Sequence, residues 1–172
     1  ENHHDKDRAR ERVLEQLKVL AQDGWGALAY PKAYGGQGNI ESYAAIFEHL
    51  IYVDGSLAVK FGVQFGLFGG SIHHLGNKRQ HEQYLKAAGK AQLLGCFAMT
   101  ETGHGSNVRG IKTTATYLNE EQALVIHTPG KNDNKEYIGN ALHSKIATVF
   151  AQLIVNGVNE GVHAIVVPLQ IG

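Results

Sequence analysis

The chain has 172 residues, with 16 basic and 16 acidic side chains and 43% hydrophobic residues. Such a composition can build one substantial core or two small ones, and its neutral balance gives no field to attract nucleic acid or an anionic membrane surface. No apolar run is long enough to span a bilayer, the opening residues do not read as a secretory signal, and the lone Cys96 leaves no internal disulfide.

Residues Glu1 to Asp7 are polar and are expected to fray, with His3 and His4 a solvated tail and no metal site. Helical spacing begins near Arg8: Val13, Leu17 and Leu20 share a face that Leu14 and Ala21 widen, and Glu11, Glu15 and Lys18 lie on the wet side. Gly24 and Gly26 end that helix, and a loop from Tyr30 to Gly38 follows, marked by Pro31 and three glycines. A second helix is expected over Ile40 to Val53, N-capped by Asn39, with Tyr43, Ala44, Phe47, Leu50 and Ile51 as its apolar stripe.

Asp54-Gly55-Ser56 separates it from a third helix, Leu57 to about Leu75, apolar nearly all round. Gly62, Gly66, Gly69 and Gly70 cost about 1 kcal/mol each in a helix interior, which points to tight helix–helix contact or to an approaching ligand. Asn77 and Gln80 have the spacing of a capping box at the head of a short helix carrying Tyr84, Leu85 and Ala88, closed by Gly89.

The period changes from helix to strand near Gln92, giving a helical unit over 1–92 and a β-domain over 93–172. The fold class is α+β: an N-terminal all-helical unit followed by a partial antiparallel barrel or sandwich. Cys96, Ala98 and Thr100 alternate with Phe97, Met99 and Glu101, and Ile111, Thr113, Ala115 and Tyr117 alternate with Lys112, Thr114 and Thr116. Between them Gly103 and Gly105 flank His104, so the loop is expected to expose consecutive N–H groups beside Thr100, Ser106 and Asn107, with room for a ligand at the main chain. An ordinary polar turn has the same composition. No Gly-Lys-Ser/Thr follows, and Gly110 opens a strand and not a helix, so neither a P-loop nor a dinucleotide fingerprint is present. A hairpin through residues 118–122 leads into Ala123 to Thr128; a second joins Lys145–Asn156 to Val162–Leu169 through a turn at Gly157 to Gly161. Cys96 reads as a small buried hydrophobe, and His104 and His143 lack metal-ligand spacing.

The run CFAMTETGHGSNVRGIKTTATY, Cys96 to Tyr117, resembles the flavin-contacting segment of the acyl-CoA dehydrogenase superfamily, and its Gly-His-Gly-Ser-Asn-Val-Arg-Gly core resembles the acyl-CoA oxidase branch. The resemblance implies FAD as cofactor, acyl-CoA as substrate and O2 as electron acceptor. It also implies a homo-oligomer when intact, in a bacterial cytoplasm or a eukaryotic peroxisome, with no membrane span and no nucleic acid. A C-terminal helical bundle would supply the catalytic glutamate. The chain is therefore expected to be truncated at both ends, with no catalytic residue of its own; Glu101 is tempting as a base but stands in the wrong place.

By the same resemblance Phe97, Met99, Thr100, Gly105 and Ser106 form a first flavin strip, with Thr100 bonding the ring edge and Ser106 near the pyrophosphate or the substrate's pantetheine. Tyr137, Ile138 and Gly139 form the second, Tyr137 packing on the flavin. Gly139 replaces the threonine usual in dehydrogenases, leaving a gap for O2; otherwise it is a turn glycine needing positive φ before Asn140. Two other functions remain open: a dehydrogenase passing electrons to a flavoprotein carrier, and a non-catalytic interaction module.

Overall fold

The computed structural model describes residues 5–169; residues 1–4, including His3 and His4, and residues 170–172 lie outside the described residues. The chain forms two compact units: residues through Cys96 with Gly139–Lys145, and Phe97–Ile138 with the residues from Ile146 on.

The first unit is helical. Helix α1 spans Lys6–Gln22. It starts earlier than the pattern predicts, because the Asp5 carboxylate accepts from the amides of Asp7 and Arg8 (3.0 and 3.1 Å). Its buried side chains are Val13, Leu14, Leu17 and Ala21. Helix α2 spans Ile40–Val53, and the Asn39 side chain accepts from Ser42 N as expected. Its inward stripe is Tyr43, Ile46, Phe47 and Leu50, the i, i+3, i+4, i+7 set. Ala44 lies outside the stripe, and Ile51 is exposed.

The third helical run is continuous but not uniform: α3 (Gly55–Phe61) widens into a π-helical segment, Gly62–Phe68, before α4 (Gly69–Leu75). Phe61 stacks on Tyr43 and meets Phe65 edge-on. Gly62, Gly66 and Gly69 are packing positions, whereas Gly70 meets only Phe65 O, at 3.9 Å. A Cβ at Gly62 would come within 2.8 Å of the Phe47 ring and one at Gly66 within 2.5 Å of the Tyr43 hydroxyl, while Gly69 faces the Tyr30 hydroxyl. That hydroxyl, fully buried, donates to Phe65 O (2.8 Å), a carbonyl in the widened segment. Asn77 and Gln80 form the expected capping box at α5 (Lys78–Gln80), which continues through a second π-helical segment, His81–Leu85, into α6 (Lys86–Gly89).

The segment after α6 and the returning segment Gly139–Lys145 have no ladder of their own, and Gln64 supplies one. This fully buried side chain donates from Nε2 to Ala88 O and Leu93 O (3.2 and 2.9 Å). Its Oε1 accepts from Gly95 N and Asn140 Nδ2 (3.0 and 3.2 Å). Asn140, in the left-handed region at φ 67°, also donates to Gly95 O and accepts from Lys60 Nζ. Lys60 further meets His143 Nδ1, whose Nε2 is 2.9 Å from the Glu11 carboxylate.

The second unit holds the sheet. Its strands are β1 (Gly95–Ala98, entering from the first unit), β2 (Thr114–Leu118), β3 (Ala123–His127), β4 (Ile146–Val155) and β5 (Val158–Pro168). The order is β1-β4-β2-β3, with β5 also on β4. Both hairpins, β2–β3 and β4–β5, are antiparallel as expected. The sheet as a whole is mixed and open and not an antiparallel barrel, because β2 lies parallel to β4, with Thr114 to Thr116 opposite Gln152 to Ile154. The second hairpin turns earlier than the predicted residues 157–161. Asn156 and Gly157 both have positive φ, the two-residue geometry that matches strand twist, and the extra residue is absorbed by a bulge where Gly161 has φ 87°.

Replacing Gln64 with Leu keeps the volume and takes the partner from Leu93 O, the Gly95 amide and one N–H of Asn140 Nδ2, while Ala88 O keeps the Ala91 amide. Stability is expected to fall by about 3 kcal/mol or more, read as a lower denaturant midpoint.

Candidate functional site

The glycine loop is built from the end of β1. Regular pairing stops at Ala98, and the chain turns so that Glu101 N donates to His104 O and His104 N to Glu101 O (both 3.0 Å). An irregular antiparallel ladder then ties it to residues 132–136: Thr102 N to Asn134 O (3.0 Å), Gly103 N to Asn132 O (2.7 Å) and Glu136 N to Thr100 O (3.3 Å). The expected row of free amides is therefore absent at residues 101–104, since their N–H groups are spent on this chain. The ladder leaves little room at Gly103, as a Cβ there would lie 3.1 Å from Asn132 O. At Gly105 nothing stands within 4 Å of a Cβ, so there the loop is open.

Glu101 fastens the two segments. It is 1% exposed, and its carboxylate accepts from Lys112 N, Thr113 N and Thr113 Oγ1 at 2.8, 2.8 and 2.6 Å. The Lys135 ammonium completes the set at 3.2 Å and also donates to Met99 O at 2.9 Å. Burial alone would raise the Glu101 pKa, but the Thr113 hydroxyl, the two amides and Lys135 outweigh it and hold the carboxyl down at about 2. A carboxylate so fully engaged is too weak a base to abstract a proton from substrate. Lys135 is pulled down by burial and up by Glu101, with burial the larger effect. Gln152 braces the other side, donating from Nε2 to Arg109 O and Ile111 O, both at 3.1 Å.

Around this clamp stand the expected flavin-strip residues of the second unit. Phe97 is half-buried with its ring 4.7 Å from that of Phe150, and Met99 is half-buried above the Lys135 contact. Thr100 is half-buried, and its hydroxyl bonds no described residue. Ser106 is exposed beside open Gly105. Tyr137 is 86% exposed with φ 59°, and Ile138 is half-buried. A half-buried uncommitted hydroxyl, an open glycine and an outward aromatic ring are groups that fit an aromatic cofactor with a phosphate tail such as FAD.

Gly139 lies in the first unit. Its φ is not positive, so the turn-glycine explanation fails; the positive values belong to Tyr137 and Asn140. A Cβ at 139 would lie 2.9 Å from Val63 Cγ2, so a side chain there requires Val63 to shift. Cys96 is buried, and burial pushes its thiol up against a smaller opposing effect of the Ser144 hydroxyl, as suits a packed residue. Among the described residues no group of three or more His, Cys, Asp or Glu side chains could hold a metal, and no helix is long and apolar enough to cross a membrane. Sequence reasoning missed Thr113, Lys135 and Asn140. The only available signal was a glutamate on an otherwise apolar strand face.

A helical unit leading into an open mixed sheet is the fold of acyl-CoA oxidases and dehydrogenases. The model of the acyl-CoA dehydrogenase N-terminal domain matches residues 1–92. Peroxisomal acyl-coenzyme A oxidase 2 of Arabidopsis thaliana is 43% identical over 96% of this chain and 24% of its own length. The crystal structure of acyl-CoA oxidase1 from Yarrowia lipolytica superposes with a TM-score of 0.80 at 33% identity, covering 96% of this chain and 23% of that one. An acyl-CoA dehydrogenase from Bacillus anthracis, solved with FAD, gives 0.79 at 29% identity over 92% and 26% of the two chains. The chain belongs to the acyl-CoA dehydrogenase family. It spans about a quarter of the length of these relatives.

The Glu101 clamp predicts an acid-sensitive component of stability. The folded carboxyl titrates at about 2 and its ordinary value is 4.5, so the stabilisation is full above pH 4.5 and is lost as pH falls through 2. Allowing for solvent at the exposed neighbours Thr102 and Gly103, it amounts to about 2 kcal/mol. In denaturation series across that window, Glu101→Gln should be less stable at neutral pH and should lose most of the slope.

Proposed function

We propose that this chain is the helical and middle part of an FAD-dependent enzyme that removes two hydrogens from the Cα–Cβ bond of acyl-CoA thioesters, with O2 as electron acceptor. The observation that carries this is the stretch Cys96–Tyr117, which resembles the oxidase flavin segment, folded beside an exposed Tyr137. FAD, when bound, supplies the electron-accepting chemistry.

This chain's residues bind and orient. Thr100, with its hydroxyl uncommitted, donates to the edge of the flavin ring. Tyr137 offers its exposed face to the ring, with Ile138, Phe97 and Met99 as apolar surroundings. Gly105 lets a polar tail approach the main chain, and Ser106 bonds the pyrophosphate or the pantetheine. No proton-abstracting base is assigned in this chain, because Glu101 is held ionised and fully bonded. Residues 1–172 alone are accordingly inactive toward acyl-CoA.

The choice of oxygen over a flavoprotein carrier rests on Gly139. A threonine there would bring a hydroxyl and bulk beside the reacting ring edge; glycine brings neither. Relatives named as peroxisomal acyl-coenzyme A oxidases favour a peroxisomal enzyme.

The test is direct. The whole protein should purify yellow, bleach anaerobically with acyl-CoA and form hydrogen peroxide when air is admitted. A colourless protein that no acyl-CoA bleaches after reconstitution with FAD would sink the proposal. Thr100→Val should weaken FAD binding or slow bleaching by up to about tenfold, the worth of one hydrogen bond. Gly139→Thr, paired with Val63→Ala to make room, should bleach anaerobically yet consume oxygen far more slowly. Undiminished peroxide formation by that pair would return the dehydrogenase reading.

A further inference from the structure

We infer that the buried Glu101–Lys135 pair is a positioning clamp that holds Tyr137 in a left-handed backbone and presents its ring as one wall of the cofactor site, an inference that rests on the FAD reading above. Tyr137 has φ 59°, a region that bulky L-residues avoid. Its side chain gives nothing back to the fold: the ring is 86% exposed and makes no hydrogen bond or ring contact with any described residue. Strain with no packing return persists where the surrounding structure enforces it, and such positions cluster at ligand sites.

The enforcement is visible two residues upstream. Lys135 Nζ is fixed by Met99 O at 2.9 Å and by the Glu101 carboxylate at 3.2 Å. Glu136 N is fixed by Thr100 O at 3.3 Å. The backbone entering Tyr137 is thus set by the same clamp that sets the carbonyls of Met99 and Thr100. The backbones of the two flavin strips of this unit are tied to each other before any ligand arrives.

The test uses the whole protein stripped of flavin. Tyr137→Asn, which tolerates left-handed backbone, should raise the melting temperature of the apoprotein by about 1–3 °C. The same variant should raise the Kd for FAD at least tenfold by fluorescence titration. A purely structural tyrosine would not move the two readouts in opposite directions. Lys135→Met should weaken FAD binding in the same sense and shift the bound flavin's visible band toward that of free FAD, and Lys135→Arg should restore both. An apoprotein destabilised by Tyr137→Asn would overturn the strain argument; unchanged FAD affinity in Tyr137→Asn, or in a folded Lys135→Met, would overturn the wall or the clamp respectively. Should Lys135→Met fail to fold, the two Tyr137→Asn readouts decide. If the wild-type apoprotein takes up no FAD, the failure belongs to the cofactor reading.

Discussion

Buried backbone that lies in neither helix nor ladder must still satisfy its N–H and C=O groups, and this chain meets that requirement with side chains. In the second unit the carboxylate of Glu101 does so, gathering two amides, a hydroxyl and an ammonium. A neutral side chain could not replace it, since all four partners donate. In the first unit the need is for donors and acceptors together, and the amide of Gln64 meets two carbonyls with one end and two N–H groups with the other. Each unit thus has a buried polar side chain at the point where its irregular segments converge.

The glycines of the flavin loop have different roles. Gly103 admits the chain's own backbone at Asn132, Gly105 borders open space, and Gly139 yields to Val63. Composition makes them look equivalent; geometry leaves only Gly105 free to admit a ligand to the main chain. The same division runs through the hydroxyls, where Thr113 is consumed by Glu101 and Thr100 is left uncommitted.

Local signals were readable where one neighbouring group decides the outcome. The bounds and N-cap of α2, the capping box at Asn77 and the packing glycines Gly62, Gly66 and Gly69 all follow from short-range chemistry. What could not be read depends on residues far apart in sequence. The parallel pairing of β2 with β4 joins residues nearly forty positions apart, and the role of Glu101 depends on Lys135. In the site, the resemblance singled out Thr100 and Tyr137, yet nothing in the sequence marks the left-handed backbone of Tyr137, because tyrosine is a residue that usually avoids it.

The widened segment Gly62–Phe68 has a consequence for length variation. An α-helical turn holds 3.6 residues, and a π turn, with its i→i+5 bonds, holds about one more. A helix containing such a turn has a spare residue that adds little to its rise. Loss of one residue there would restore regular winding while leaving both ends of the run nearly where they are. Facing would be kept as well: one full rotation takes about one residue fewer in the α turn than in the π turn, so the residues beyond the deletion stay on their side of the axis. Gly69 would still face the Tyr30 hydroxyl. In comparisons with relatives, a one-residue gap inside this helix would therefore mark the loss of the wide turn and not a change of facing.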